Sequence, residues 1–183
     1  MRRDSLWLSG VPQLEFVVDN TAAAGLANIE LSISNPLYES AVHSIRLGLR
    51  KVFSDLFRPK GGFLNPVEWR PREFNAPPDT VCNWVLAAGA DMTDLDLNLG
   101  VDAVVANKSL QIHCDGGYAQ SVGAAAFVVH VFDPATGLMD RIGYVGIFME
   151  QARSAFHAEI TALDSAQKWV QQLRERWLAT SLR

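Results

Sequence analysis

The second half of the chain carries the pattern that most restricts its fold. Alternating apolar and polar residues predict a strand over residues 110–115, and apolar runs predict further strands over 123–132 and 141–150. The segment 133–137 has proline and glycine where a hairpin turn needs them. Residues 155–177 repeat apolar side chains at helical spacing. We therefore expect three antiparallel strands followed by a long helix.

The first half predicts a different arrangement, in which strands and helices alternate. The expected elements are a strand over 14–19, a short helix over 22–27, a helix over 37–57, a strand over 67–70, and a helix from Pro77-Pro78 to Gly89. Residues 90–108 are acidic and weakly periodic, so we expect a connector with at most a helical turn near 101–106. Together the two halves predict a layered α/β fold.

Composition excludes several classes of protein. The chain has 183 residues, of which 49% are hydrophobic, which suits one domain or one domain with a long linker. No apolar run is long enough to cross a membrane, and no signal-peptide pattern is present, so an intracellular location is expected, without distinguishing nucleus from cytoplasm. Cys82 and Cys114 are too few for a disulfide framework or a zinc site. The net charge of −4 is unusual for a nucleic-acid binder.

Two carboxylates of the second half point to chemistry. Asp115 is expected at the end of a strand, before a Gly116-Gly117 turn where the backbone can come close to a ligand. Glu159 lies on the first turns of the long helix, on the side that faces the sheet. A strand-end acid and a helix-face acid could share a divalent cation, and Mg²⁺ prefers such hard oxygen ligands.

The residues around these acids resemble a known family. The segments Ile112-His113-Cys114-Asp115-Gly116-Gly117, Gly123-Ala124-Ala125-Ala126-Phe127-Val128 and Ala158-Glu159-Ile160-Thr161-Ala162-Leu163 resemble, in this order, the first half of a type 1 ribonuclease H. The resemblance covers residues 109 to about 175. That family opens with a strand bearing Asp-Gly and places its second acid on the first helix.

The other half of the family pattern lies at the beginning of the chain. Residues 16–28 resemble the family's fourth strand and following helix, with Asp19 in the place of the third acid. Residues 67–75 and the helix after them resemble the fifth strand and last helix of retroelement and plant-type members, with Asp79 as the fourth acid. We therefore interpret 1–89 as the C-terminal half and 109–183 as the N-terminal half of one circularly permuted domain, joined by 90–108. The alternative is a window of a longer polyprotein that holds the end of one domain and the start of the next.

The resemblance implies a fold and a function. The fold would be a three-layer ribonuclease H-like α/β fold, whose mixed five-stranded sheet has three antiparallel and two parallel strands flanked by helices. The function would be that of a retroelement-derived endonuclease that cuts the RNA strand of RNA–DNA hybrids with two Mg²⁺ ions, or Mn²⁺. A reverse transcriptase in a longer polyprotein is an implied partner. The sequence predicts neither an oligomeric state nor any contact with a membrane.

The resemblance also implies a role for individual residues. Asp115 would bridge both ions, Glu159 and Asp19 would hold one ion, and Asp79 would hold the other. The residues expected to contact substrate are Gly116, Gly117, Asn20, Asn75 and Arg72.

Structural alternatives stand beside these roles. Asp19 could be the N-cap of the next helix, and Asp79 could be an ordinary first-turn acid that complements the helix dipole. The histidine that many type 1 members carry before the last helix is absent from residues 70–79. A catalytically inactive module that binds nucleic acid or protein is an alternative to the nuclease, although the presence of all four acids argues against it.

Overall fold

A computed structural model describes residues 12–28, 35–55, 57–59, 66–72 and 76–181, and the fold is given for these residues. The strands are β1 (Gln13–Val18), β2 (Arg58–Pro59), β3 (Val67–Trp69), β4 (Met92–Thr93), β5 (Ser109–Ala119), β6 (Val122–Phe132) and β7 (Met139–Met149). The helices are α1 (Thr21–Ala27), α2 (Pro36–Asp55), α3 (Pro77–Ala88), α4 (Leu97–Val105) and α5 (Ala155–Ser181).

One mixed sheet joins the two halves of the chain. β5, β6 and β7 form an antiparallel meander, and β4 pairs with the outer edge of β7. On its other side β5 pairs in parallel with β1, which pairs in parallel with both β2 and β3. The strand order is β2-β1-β5-β6-β7-β4, with β3 beside β1 on the same edge as β2. The predicted α/β class with a mixed sheet is therefore confirmed, but the described sheet has seven strands instead of the predicted five, because β2 and β4 add a short strand at each side.

Helices cover both faces of the sheet. Successive side chains of a strand point to opposite faces, so the apolar residues of β6 contribute to a core on each side. Ala125, Phe127 and Val129 of β6 belong to the larger core, to which α1, α2, α4 and α5 contribute. Ala124, Ala126 and Val128 of the same strand pack instead against α3, through its residues Val81, Cys82 and Val85. Among the described residues, no helix is long and apolar enough to span a membrane.

Local chemistry explains where the short helices begin and end. The side chain of Asn20 accepts a hydrogen bond from the backbone N–H of Ala23, which caps α1. Pro77 and Pro78 open α3, whose first turn lacks intrahelical partners for N–H groups in any case. Gly89 ends α3 in the left-handed region with φ 63°.

Two predictions about local structure are wrong. Residues 90–108 are more than a connector with a helical turn, because they contain β4 and α4. α4 packs closely on α5, since a Cβ at Gly100 would lie 2.9 Å from a side-chain carbon of Leu173. Gly116-Gly117 is not a turn either: β5 continues to Ala119, and the hairpin turn falls at Gln120 and Ser121, which both have positive φ.

Candidate metal centre

Parallel pairing of β1 and β5 brings two acids from opposite halves of the chain together. The two strands run in register, with Val18 opposite Cys114. Asp19 and Asp115 are the residues that follow these two, so they lie side by side at the same position along the sheet. The first acid belongs to the N-terminal part of the chain and the second to the C-terminal part.

Close packing of α5 on β5 adds the third acid. Gly116 is buried beneath the start of α5, and a Cβ there would lie only 2.3 Å from the backbone nitrogen of Glu159. Real Cβ atoms do not come so close to backbone, so the helix can sit at this height only above a glycine. Gly116 therefore lets α5 place Glu159 beside Asp115.

Three carboxylates converge as a result. Ligand oxygens of Asp19, Asp115 and Glu159 all lie within 4.8 Å of one another. Asp115 and Glu159 are each only 3% exposed. The Oε2 atom of Glu159 is buried, and no hydrogen-bond partner for it occurs in the part of the chain that the structure describes.

Asp79 lies at the rim of this group and is not part of it. It occupies the first turn of α3, and its side chain is about one third exposed. The Oδ1 atom of Asp79 lies 4.0 Å from the Nη1 atom of Arg72. Of the four predicted acids, the structure therefore brings three into direct proximity and leaves the fourth linked to them through an arginine.

Arg72 lies among all four acids. Its Nε atom donates to Asp19, and its Nη2 atom lies 2.7 Å from Oδ1 of Asp115 and 3.9 Å from Oε1 of Glu159. The end of β3 is tied to the end of β1 close to this residue, because the indole N–H of Trp69 donates to the backbone oxygen of Asp19 over 3.0 Å. Half of the Arg72 side chain remains exposed.

Burial and mutual repulsion disfavour the ionised forms of the two buried acids. Burial raises the pKa of Asp115, and repulsion from Asp19 raises it further, although a hydrogen bond with Glu159 and the charge of Arg72 oppose the rise. Burial and then repulsion from Asp115 also raise the pKa of Glu159. The hydrogen bond with Asp19 raises the pKa of Arg72, whose guanidinium stays charged. A cation placed among these carboxylates would favour their ionised forms.

The side chains fit a hard divalent cation. The converging donors are carboxylate oxygens, the ligands that Mg²⁺ and Mn²⁺ prefer, and a buried acceptor of Glu159 lies among them without a partner in the described part of the chain. Softer ligands do not compete, because burial raises the pKa values of the nearby Cys82 and Cys114 thiols. Asp19, Asp115 and Glu159 could therefore hold such an ion.

The remaining predicted residues have varied positions. Asn20 caps α1, so Asp19 is not the N-cap and that alternative is excluded. Gly117 faces α3, where an added Cβ would make ordinary contacts with Cys82 and Leu86. Asn75 lies outside the described residues.

Sequence reasoning missed two features of the site. The contacts of Arg72 with the four acids were not predicted; the available signal was that four acids need a counter-charge. The role of Gly116 in helix packing was also missed, because adjacent glycines more often indicate a turn.

Comparisons with known proteins add little to this geometry. No protein-family model matches the sequence, and no curated protein matches it. A solved structure, a PelC dodecamer from Paraburkholderia phytofirmans, is similar with a TM-score of 0.31 and 12% sequence identity, over 87% of this chain and 88% of that chain. A likeness this weak carries no argument about fold or function.

Proposed function

We propose that the chain is a metal-dependent endonuclease that hydrolyses the RNA strand of RNA–DNA hybrids, on a circularly permuted ribonuclease H-like fold. The observation that carries the proposal is the convergence of Asp19, Asp115 and Glu159, which come from both halves of the chain, within 4.8 Å. The sequence resemblance assigns metal-binding roles to these same three residues.

Sheet topology supports the permuted fold. β5, β6 and β7 supply three antiparallel strands from the second half, and β1 and β3 supply two strands parallel to β5 from the first half. This is the set of strands that the resemblance implies. The last helix of that pattern corresponds to α3, which packs on the opposite face of the sheet from α5.

Each side chain has a role in the proposed reaction. Asp115, Glu159 and Asp19 would hold the metal, and Asp79, at the exposed rim, would complete the set for a second ion. Bound divalent ions would orient the scissile phosphate and lower the pKa of the attacking water. Arg72 is half exposed beside the acids, where a guanidinium can donate to phosphate oxygens.

The sequence resemblance supports RNA–DNA hybrids as the substrate, while the arrangement of the carboxylates supports phosphodiester hydrolysis as the reaction. Carboxylates that hold divalent ions are suited to phosphodiester hydrolysis in general. Recognition of RNA requires contacts to 2′-hydroxyl groups, for which the resemblance assigns the backbone around Gly116 and Gly117. A reverse transcriptase in a longer polyprotein remains the proposed partner.

One observation favours the alternative of a catalytically inactive nucleic-acid- or protein-binding module. The guanidinium of Arg72 pairs with Asp19 and Asp115 and so neutralises part of the acidic group without metal. A module that had lost catalysis could be stable in this form.

Cleavage of a labelled RNA–DNA hybrid tests the proposal. The wild-type chain is expected to cut the RNA strand in Mg²⁺ and not in EDTA, and to leave duplex DNA intact. Asp115→Asn is expected to abolish cutting. Asp164→Asn is the matched control, because Asp164 lies on α5 but binds Ser44 and Lys168 instead of the acids. Folded wild-type protein that cuts no hybrid in Mg²⁺ or Mn²⁺ would refute the nuclease and favour the binding module.

A further inference from the structure

The position of Arg72 has a consequence for metal binding. One guanidinium lies within 4.0 Å of carboxylate oxygens from four acids: Asp19, Asp79, Asp115 and Glu159. These acids lie in four separate parts of the chain, and Arg72 itself lies between β3 and α3. The arginine is thus an internal counter-ion of the acidic group.

Arg72 contacts one carboxylate oxygen of Asp115 and one of Asp19 that a metal could otherwise use. The Oδ1 atom of Asp115 accepts from Nη2 of Arg72 at 2.7 Å and from the backbone N–H of Gly116 at 2.8 Å. A carboxylate oxygen offers about two lone-pair directions, so this atom has none left for a cation. The same guanidinium donates a hydrogen bond from Nε to Oδ2 of Asp19. Metal coordination by these atoms requires Arg72 to leave them.

The positive charge of Arg72 also favours its displacement by a metal ion. A divalent ion among the three converging carboxylates would lie close to the guanidinium, and like charges repel. The buried Oε2 atom of Glu159, which lacks a partner among the described residues, offers an incoming ion an acceptor that Arg72 does not use.

The local structure permits such a displacement. The chain is held to β1 two residues before Arg72, where the N–H of Arg70 donates to the backbone oxygen of Val18 at 2.9 Å. The Arg72 side chain is instead 52% exposed, with solvent on one side into which its long stem can rotate. Displacement thus needs a change of side-chain rotamer and no rearrangement of the sheet.

We propose that Arg72 competes with divalent cations for the acidic group, so that it sets the metal affinity of the site and is displaced when metal binds. The inference rests on the metal site of the proposed function and not on hydrolysis. It predicts that the charge and shape of residue 72 control metal affinity in the absence of any nucleic acid.

Calorimetric titration with Mn²⁺ alone tests this inference, using the full chain. Removing the competing charge in Arg72→Gln is expected to lower the Kd at least about tenfold, as expected when a charge in direct contact is lost. Arg72→Lys is expected to lower it severalfold, because an ammonium cannot pair with two carboxylates as a planar fork does. Lys168→Gln controls for net charge, since Lys168 pairs with Asp164 on the outside of α5, and its Kd is expected to match the wild type.

Arg72→Gln and Arg72→Lys each test the competition, so one folded variant is sufficient. A Kd for Arg72→Gln equal to or higher than that of the wild type would overturn it, as would an unchanged Kd for Arg72→Lys where only that variant folds. Tighter Mn²⁺ binding by these variants in a chain that cuts no hybrid would support the competition and reject the nuclease. Failure of Mn²⁺ to bind to any folded variant would overturn the inference itself.

Discussion

Two groups of polar side chains lie along β1 and β5, and they differ in how well their charges are compensated. The first is the acidic group of Asp19, Asp79, Asp115 and Glu159, and the second is a polar network of Glu15, Arg70, Gln111 and His113. Gln111, His113 and Asp115 alternate along β5, so their side chains leave the strand on the same face. Both groups therefore include side chains on one face of β5.

Each member of the polar network has a hydrogen-bond partner within the network. Glu15 is 6% exposed and lies 2.7 Å from Nη2 of Arg70, and it also accepts from the side-chain amide of Gln111. The Oε1 atom of Gln111 lies 2.8 Å from Nε2 of His113. In the acidic group, by contrast, four acids share the guanidinium of Arg72, and Oε2 of Glu159 has no partner among the described residues.

Such a difference is expected between a structural polar cluster and a site that binds a cation. Hydrogen-bonded charges in a buried network stabilise one arrangement of the chain, so removing a member is expected to destabilise the fold. An acidic group with excess charge gains stability when a cation arrives. Substitutions in the polar network should therefore lower the stability of the fold. Substitutions in the acidic group should instead reduce metal binding and activity.

The largest expected effect is on activity. Glu159→Gln should reduce hybrid cleavage by at least about a hundredfold, because loss of an outer-shell partner of a metal already costs roughly 10- to 100-fold. Its metal-free melting temperature should not fall, since the variant removes an uncompensated buried acid. Rate and thermal-melting measurements on the same preparation check both parts. Retained cleavage would remove Glu159 from the site.

Gly116→Ala should have the next largest effect. The new Cβ would meet the backbone nitrogen of Glu159 at 2.3 Å and push α5 away from β5, at an expected cost of about 3 kcal/mol. Gly117→Ala is the matched control, because its Cβ would make contacts of 3.4 Å with Cys82 and Leu86. Urea unfolding of the two variants checks the difference. Equal stabilities would show that α5 does not depend on the glycine.

Glu15→Gln tests the polar network. The variant replaces an acceptor of two donors by an amide, and a buried donor then faces Gln111 or Arg70, which should lower the free energy of unfolding by about 2 kcal/mol. Cleavage per folded molecule should be unchanged, because Glu15 belongs to the polar network and not to the acidic group. Loss of activity without loss of stability would erase the distinction between the two groups.

The smallest effect concerns pH. Burial, and then the proximity of His130, lower the pKa of His113 from 6.5 to about 4. Its contribution to stability is therefore fully present above pH 6.5 and is lost as pH falls from 6.5 towards 4. His113→Gln should reduce the loss of unfolding free energy between pH 7 and pH 5 by about 1 kcal/mol. Unfolding curves that change with pH to the same extent in wild type and variant would contradict this.

The sequence predicted the site more fully where the pattern is continuous. Strands β5 to β7 and helix α5 follow from local periodicity, and Asp115 and Glu159 were identified within that run. The parallel pairing of β1 with β5 joins residues distant in the chain, such as Leu14 and Leu110, and no local pattern fixes such a register. The proximity of Asp19 to Asp115 could therefore be predicted only from the resemblance, and the structure was needed to show it.

Other features escaped prediction because a tertiary contact decides them. Adjacent glycines indicate a turn locally, yet Gly116 continues a strand because α5 lies directly above it. Helix α4 is short and includes Gly100, which weakens its periodic signal, while its close packing on Leu173 and Trp169 requires the small residue. Arg72 belongs to the acidic group because of its position in space, which residue type alone does not indicate.

We propose that acids from both halves of the chain form one metal site, from which Arg72 is displaced when the metal binds. Crystals soaked in Mn²⁺ and measured for anomalous scattering test it most directly. We expect an anomalous peak bound by oxygens of Asp19, Asp115 and Glu159, with the guanidinium of Arg72 moved away from Asp115. A map without a peak at these acids in saturating Mn²⁺, with Arg72 still paired to Asp19 and Asp115, would contradict it.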